Sequence, residues 1–592
     1  MNEAVLNVYQ QRANEFRSQK DTLGRRLLLN SLLRLVFFVL FGWFLYAAFR
    51  ERFSGNALLY SIGGFIIFLY WVSRAGILKQ KIGFAEKLIL INDNEITVLK
   101  GGSSCFEDGG TTQIVPGFVT DLNVLGKHSL YHHLNRTGSI SGRKQLAKAI
   151  TDPLLSPQQI IDYQACVKEL SGKTAFRQDL QAHTLLLKEE VGLSQIITGL
   201  PEGAGSGLEK FPWKQLCWIW PIAGVLVITY AVWIQAYSYI FTFAMLGLLV
   251  LSPALRQVSQ LYQHISRKGY LFTQYATCFQ LICEEHLVHP VLREKQQQIA
   301  EAAEAFRKLS RLMGVFDLRV SLLTFFVNGL FLSDLLCARA YLKWNRKYQS
   351  SFNKWFDTLG EIEMLSSLAC FHQNHPGFVF PEVAAGDTAI NATGLGHPLM
   401  DTRKAVTNNF SIGTTARLHL VTGSNMSGKS TFLRSVGLNM LLAQMGAPVF
   451  AERFSFSPVR LLTSFHHIDS LEESTSYFYA ELKCLQSIMH ALEGHTPALV
   501  LLDEVMRGTN SMDKHDGTAL LIKKLLQKNC LTLIATHDTE LGILAEQYPG
   551  QVENYCFESE VTETGLHFDF TRKAGIAQSR NATYLMKQMG IV

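Results

Sequence analysis

The residues best suited to chemistry lie in Gly423-Ser-Asn-Met-Ser-Gly428-Lys429-Ser430-Thr431. The stretch fits G-x-x-x-x-G-K-[ST], the loop that cradles the phosphates of a nucleoside triphosphate. Gly423 and Gly428 let the backbone fold tightly, so that the N–H groups of Ser424, Asn425, Met426 and Ser427 point at phosphate oxygens. Lys429 is the expected counter-charge for the β/γ-phosphates, and the Ser430 hydroxyl the expected Mg²⁺ ligand. Further along, Asp503 and Glu504 are adjacent carboxylates. In enzymes with such a loop, one acid in this place holds the Mg²⁺ shell and a second orients the attacking water. His537 is a third polar candidate, positioned to sense the γ-phosphate. The expected catalytic set is therefore Lys429, Glu504 and His537, with Ser430 and Asp503 as metal ligands.

Three apolar runs must carry these groups. Leu418–Val421 feeds the glycine loop, Ala498–Leu502 ends in the two acids, and Leu531–Ala535 ends in Thr536-His537-Asp538. Continuous apolar runs of this length are what a parallel sheet buried on both faces requires. Ligands of open α/β sheets bind at the carboxyl ends of the strands, where all three polar groups fall. A helix after Gly428 would add its free N–H groups and dipole. The fold expected for residues 386–592 is an α/β P-loop domain.

The same residues carry a family resemblance. Thr422-Gly-Ser-Asn-Met-Ser-Gly-Lys-Ser-Thr431 resembles the T-G-P-N-M-G-G-K-S-T of MutS-type mismatch-repair ATPases. Leu502-Asp-Glu-Val-Met-Arg-Gly-Thr509 is similar to their L-M-D-E-x-x-R-G-T, and Ala535-Thr-His537 to their A-T-H. Asp469 to Glu481 lines up on the segment bearing the family's S-T-F-x-x-E, without its preceding Gly-Arg and with Tyr477 in place of Thr. The resemblance is strongest over residues 395–545. It implies an ABC-like, MutS-type ATPase domain that uses ATP and Mg²⁺ and works as a homodimer, with Ser476 reaching the partner's site in trans. It also implies DNA binding of a mismatch-repair kind. Asp513 and Asp516 are alternative subunit-facing acids, because the stretch after Thr509 is longer than the family's. Gly396-His397-Pro398 resembles the family's R-H-P entry to the ATPase domain. Gly575 to Gly590 is similar to its closing helix, after which no further domain is expected.

Composition shifts the picture away from a soluble ATPase. Of 592 residues, 48% are hydrophobic and 11% aromatic, and the net charge of +6 is too small to argue for nucleic acid by itself. Ten cysteines without a C-x-x-C pair read as reduced thiols, not as a zinc site or disulfide framework. Residues 27–49 and 57–73 are apolar runs near the roughly 17–25 residues that span a bilayer, and Arg34 can snorkel to the interface. From Gln215 to Leu255 no residue is charged, enough for two more spans with a turn near residues 235–238. Lys20, Arg25, Arg26, Arg74, Lys79 and Lys81 flank the first pair on one side. The positive-inside bias puts that side, the N-terminus and the ATPase domain in the cytoplasm, with the protein multi-pass in the inner membrane.

The remaining segments are read as a cytoplasmic helix (1–26), a transmembrane hairpin (27–74), a linker (75–117), and a MutS-like core or lever domain in two parts (118–210 and 257–385). A second transmembrane hairpin (211–256) interrupts that domain. In the linker, 88–99 fits either two strands around a turn or a helix carried on from the membrane. Phe84-Ala-Glu86 matches the family's mismatch-probing Phe-x-Glu only superficially, and no domain here could present it. Pro290 is expected to start a long helix with an apolar stripe of Ile299, Ala303, Phe306 and Met313. Val320–Leu336 is apolar enough for a fifth span, but Asn328 and Asp334 favour a buried lever helix. The expected function is a membrane-anchored ATPase that drives the lever helices. The alternatives are a transporter-type ATPase, for which no L-S-G-G-Q is present between the loop and Asp503, or an ATP-gated membrane scaffold without DNA binding.

Overall fold

The computed structural model describes the chain except residues 1–2, 51–54, 111–116, 188–205, 210–211, 266–268, 318–322, 385, 387, 466–476, 507–508, 563–564 and 579–592. Two very long helices open it, α1 (Glu3–Arg50) and α2 (Gly55–Leu99). At 1.5 Å per residue the 48 residues of α1 reach roughly 72 Å. The two run side by side as a hairpin. An aromatic ladder joins their apolar halves: Phe38–Phe68, Phe41–Phe65 and Phe44–Tyr60, with ring centroids 5.5, 5.0 and 5.6 Å apart. The outer faces of those halves are bare hydrocarbon, with Leu28, Leu32, Leu35, Trp43 and Ile66 exposed.

The other halves dock on a helical core, and here two sequence boundaries change. Residues 1–26 and 27–50 are one helix, and α2 runs through the expected linker as far as Leu99, so 88–99 is helical and not a strand pair. The reason is visible in burial. Ala85, Leu88, Ile91, Asn92 and Glu95 are buried, a spacing of three and four that forms one helical face. Only residues beyond Leu99 connect to the next helix. The Phe84 ring lies 4.5 Å from the His183 ring and Glu86 pairs with Lys20 at 2.9 Å, so the Phe-x-Glu triplet serves packing.

The helical core follows: α3 (Gly117–Asp121), α4 (Leu130–Leu134), α5 (Ile140–Thr151), α6 (Pro157–Ser171) and α7 (Thr174–Leu185). Next come α8 (Trp213–Trp233) and α9 (Ser238–Leu251), which form the second apolar hairpin around a turn at 234–237. Then come α10 (Leu255–Ile265), α11 (Gly269–Glu284), α12 (Pro290–Asp317), α13 (Leu323–Phe331), α14 (Ser333–Tyr348) and α15 (Phe352–Asn374). Among the described residues, four helices are long and apolar enough to cross a membrane: those of the two hairpins. The stripe Ile299, Ala303, Phe306 and Met313 is buried. Phe306 sits in an aromatic cluster with Phe279, Trp344 and Phe356. The single lever helix expected over 320–336 is not found. The chain breaks at Leu332, which adopts φ +51°, and α13 packs on the second hairpin.

The C-terminal domain holds two sheets. The larger has the order β10-β9-β4-β8-β7-β6, from β4 (Leu418–Gly423), β6 (Arg460–Ser464), β7 (Ala498–Asp503), β8 (Cys530–Thr536), β9 (Val552–Thr562) and β10 (Gly565–Ala574). All pairings in it are parallel except β9 with β10. Every residue of β4, β7 and β8 is buried, as parallel strands covered on both faces must be. A smaller sheet has the order β1-β5-β2-β3, from β1 (Glu382–Val383), β2 (Ile390–Leu395), β3 (Asn408–Ile412) and β5 (Arg453–Phe456). Helices α16 (Lys429–Gln444), α17 (Tyr477–Ala491) and α18 (Ser511–Leu525) complete the domain. One continuous hydrophobic cluster runs from α15 through α16 into β7 and β8, so the helical core and the sheet domain share their interior.

Candidate nucleotide site

The glycine loop joins β4 to α16, and two glycines shape it. Gly428 caps α16 with φ +106°, a conformation open to glycine at little cost. Gly423 has φ +153°, and a Cβ there would sit 2.5 Å from the Phe557 carbonyl oxygen and 2.9 Å from Ser427 Oγ. The loop therefore presses directly against β9. Met426, at φ +66°, stands on the loop's outer side and is 81% exposed. Lys429 is buried, and its Nζ donates to the carbonyls of Gly423 and Ser424, both at 2.9 Å. The ammonium is thus held across the concave face of the loop. Ser430 and Thr431 are half-buried in the first turn of α16, where main-chain N–H groups have no helical acceptor.

The other candidates arrive from the neighbouring strands. Asp503 ends β7 and is buried, with Oδ1 lacking a hydrogen-bond partner among the described residues. Glu504 follows at φ +54°, its N–H donating to Ala535 O at 2.8 Å. A left-handed non-glycine residue costs about 1–3 kcal/mol and persists only where surrounding structure enforces it. Here that contact with the end of β8 turns the side chain toward the loop. His537 Nε2 lies 2.7 Å from Glu504 Oε1 and 2.8 Å from Asn425 Oδ1. His537 thus ties the acid to the glycine loop. The following acid, Asp538, accepts from His515 Nδ1 at 2.7 Å, and this contact raises the His515 pKa.

The sequence-predicted set Gly423–Thr431, Asp503, Glu504 and His537 therefore meets at the carboxyl ends of β4, β7 and β8. Ser476 lies outside the described residues. Asp513 lies in the first turn of α18, where the N-cap Asn510 accepts its N–H through Oδ1 at 2.8 Å.

Three contributors were not singled out from sequence. Glu481, in α17, is buried and accepts the Met506 N–H just after Glu504. Its second oxygen, Oε2, has no partner among the described residues. Its only sequence signal was membership of the S-T-F-x-x-E segment. Phe570 stands at an irregularity in the β9–β10 register with φ +53°. It closes a cavity of about 150 Å³ beside Gly428 and Thr431, lined also by His397, Met400 and Val406. Burial lowers the His397 pKa to about 4, helped by Arg434, so the imidazole there is neutral at pH 7. Third, Asp121 of α3 accepts from Thr463 Oγ1 at 2.5 Å and from the Phe465 N–H at 3.2 Å, while its carbonyl accepts from Arg434 Nε at 3.1 Å. Arg434 lies in the helix that starts at Lys429, so the helical core grips the loop's own helix.

A magnesium nucleotide fits this site on three structural grounds. The loop ends at Gly428, where a Cβ would meet the Phe570 ring at the cavity, a buried carboxylate oxygen of Asp503 has no hydrogen-bond partner among the described residues, and the mainly apolar cavity adjoins the loop.

Comparison with known proteins gives one family model, MutS domain V, matching residues 419–590. The DNA mismatch repair protein MutS of Thermotoga petrophila is 31% identical over 317 residues, covering 52% of this chain and 36% of the relative. That of Thermotoga maritima is 31% identical over 319 residues with the same coverage. MutS protein homolog 4 of Homo sapiens is 34% identical over 211 residues, 35% of this chain and 22% of the relative. The chain thus matches about a third or less of the length of these relatives.

Proposed function

This chain belongs to the MutS family, and from that membership we propose that it is a membrane-anchored ATPase that turns nucleotide hydrolysis into movement of its helical core. The observation that carries the reading is the convergence of Lys429, Asp503, Glu504 and His537 on one glycine loop at the carboxyl ends of three parallel strands. Lys429 binds the β/γ-phosphates, the loop N–H groups bind their oxygens, and the cavity closed by Phe570 takes the base. Mg²⁺ held by Ser430 and Asp503 supplies charge neutralisation on the phosphates. Glu504, oriented by His537, positions and deprotonates the attacking water. Asn425 keeps His537 in register with the loop.

In this reading a second copy of the chain completes the site, with Ser476 as the residue donated in trans. The two apolar hairpins span the inner membrane, and the ATPase domain faces the cytoplasm. The matched relatives are DNA mismatch repair proteins by name, so duplex DNA is the proposed stimulus. The grip of Asp121 on Thr463 and Arg434 supports coupling between the nucleotide loop and the core.

The test is ATP turnover by the full chain in detergent, with and without duplex DNA. We expect Lys429→Ala to abolish hydrolysis and weaken nucleotide binding strongly, because the phosphates lose their counter-charge. Near-parental turnover in that variant would overturn the site assignment. Turnover indifferent to DNA would remove DNA from the reading and leave the ATPase.

A further inference from the structure

The second apolar hairpin carries a third helix. α13 packs against both α8 and α9, and glycines on all three helices allow the backbones to touch. A Cβ at Gly247 of α9 would collide with the Gly329 backbone, one at Gly329 with the Ala244 backbone, and one at Gly224 of α8 with the Leu330 carbonyl. Trp220 Nε1 donates to Gly329 O at 2.9 Å, and the Trp220 ring stacks on Phe243 with centroids 4.7 Å apart. Small residues at helix contacts and satisfied polar groups are how helices associate where water gives no hydrophobic drive.

The depth of the contact can be read from α8. Gly224 is near the middle of this 21-residue helix, roughly 16 Å from its start and roughly 14 Å from its end at 1.5 Å per residue. That is about half of a hydrocarbon layer some 30 Å thick. The chain then breaks at Leu332, and Asn328 Oδ1 caps the new helix by accepting from Ser333 Oγ at 2.6 Å and from the Asp334 N–H at 2.8 Å. From there α14 returns to the hairpin's base, where Arg339 Nη1 donates to Trp213 O at 3.0 Å. Further along, Trp344 Nε1 donates to Ala305 O of α12 at 2.8 Å. The helices before and after α13 thus stand together on the same side. Backbone that turns at membrane depth is tolerated where protein satisfies its polar groups, and Asn328 does so here.

We propose that residues 323–338 form a re-entrant segment that enters the bilayer beside the second hairpin, turns at mid-depth and returns, so that lipid acyl chains cover Phe326 and Val327. Those two side chains are each 43% exposed, and the neighbouring outer face of the hairpin presents exposed Val225, Leu226 and Leu249. The apolar surface is therefore continuous with that of the hairpin. The proposal rests on the reading of α8 and α9 as membrane-spanning. It makes α13 the piece of the helical core in direct contact with lipid, and it gives movement of α12 and α14 a direct path into the bilayer.

The experiment places a benzophenone amino acid at Val225 or at Val327 of the full chain in its native membrane, irradiates, and reads lipid adducts by mass. A Ser351→Cys variant is labelled in parallel with an impermeant thiol reagent, reading signal above the parent. Lipid adducts at both sites with Ser351→Cys protected from outside are expected. Adducts at Val225 but only protein cross-links at Val327 would overturn the re-entrant segment while leaving the hairpin. Adducts at both with Ser351→Cys labelled from outside would make α13 part of a full crossing and also overturn it. No adduct at either site would remove the hairpin from the membrane and the proposal with it.

Discussion

At the scale of single residues, the site is held by partners shared between chain segments, which also enforce a disfavoured backbone at Glu504. Glu504 adopts a left-handed backbone that its type disfavours, and its carboxylate shares His537 with Asn425 of the glycine loop. A group placed that way is fixed before substrate arrives. Its removal should therefore spare binding, which the proposed function assigns to the loop and Lys429, and strike the chemical step. We expect Glu504→Ala to retain ATP binding while turnover falls by about 10²–10⁴, the usual share of a positioned general base. Nucleotide-binding titration alongside steady-state turnover separates the two. Parental turnover in this variant would move the base elsewhere, with His537 the next candidate.

At the scale of elements, α1 and α2 are fastened to the core by a buried polar cluster. Arg136 donates from Nε to Glu95 Oε1, and from Nη2 to Oε2 at 3.2 Å; Asn374 Nδ2 also donates to Oε2 at 2.7 Å, and Tyr9 OH to Asn374 Oδ1 at 2.9 Å. Glu95 and Arg136 expose 1% and 5% of their side chains. Burial alone would raise the Glu95 pKa, but the Arg136 guanidinium and the hydrogen bonds from Arg136, Asn374 and Asn94 hold it below the ordinary 4.5. The folded value is depressed, so the pair's contribution is fully present above the unfolded pKa and is lost as pH falls through the folded one. Glu95→Ala leaves the Arg136 charge buried without this partner, a change worth about 3–5 kcal/mol. Thermal melts in detergent should show the variant less stable than the parent at pH 7. The gap should narrow as pH falls below the ordinary 4.5 and through the depressed folded value, where the parent's own carboxylate takes up a proton. A gap independent of pH would mean that Glu95 matters for shape and not for charge.

At the scale of the whole molecule, each proposed hairpin returns the chain to the side it left. An even number of crossings puts the N-terminus, the helical core and the ATPase domain together, as Lys20, Arg25, Arg26, Lys79 and Lys81 on one flank favour. Impermeant thiol labelling in intact cells tests this one variant at a time, against the signal of the parent. Gly55→Cys and Ser238→Cys, at the two hairpin turns, should label from outside, and Ser103→Cys and Ser351→Cys should not. Labelling at Ser103 would put an odd number of crossings before it and would sink the two-hairpin arrangement.

Much of the site was legible in the order of residues because its chemistry is local. A glycine loop needs its glycines and lysine in fixed spacing, and a buried parallel strand announces itself by an unbroken apolar run. Gly423 to Thr431, Asp503, Glu504 and His537 could be named for that reason. What only tertiary structure decided depends on partners distant in sequence. The apolar run around 320–336 has the same composition whether it lies in the core or against the hairpin; the glycines at 224, 247 and 329 and the cap from Asn328 choose the hairpin. Leu88–Leu99 fits strand or helix until Ala182 and Arg136 supply the surfaces that bury one helical face. Phe570 joins the site through a register shift that leaves no mark in composition or spacing, and Glu481 through a main-chain contact with Met506 that its place in the S-T-F-x-x-E segment did not specify. Periodicity records which side of an element is apolar, and only packing determines what that side meets.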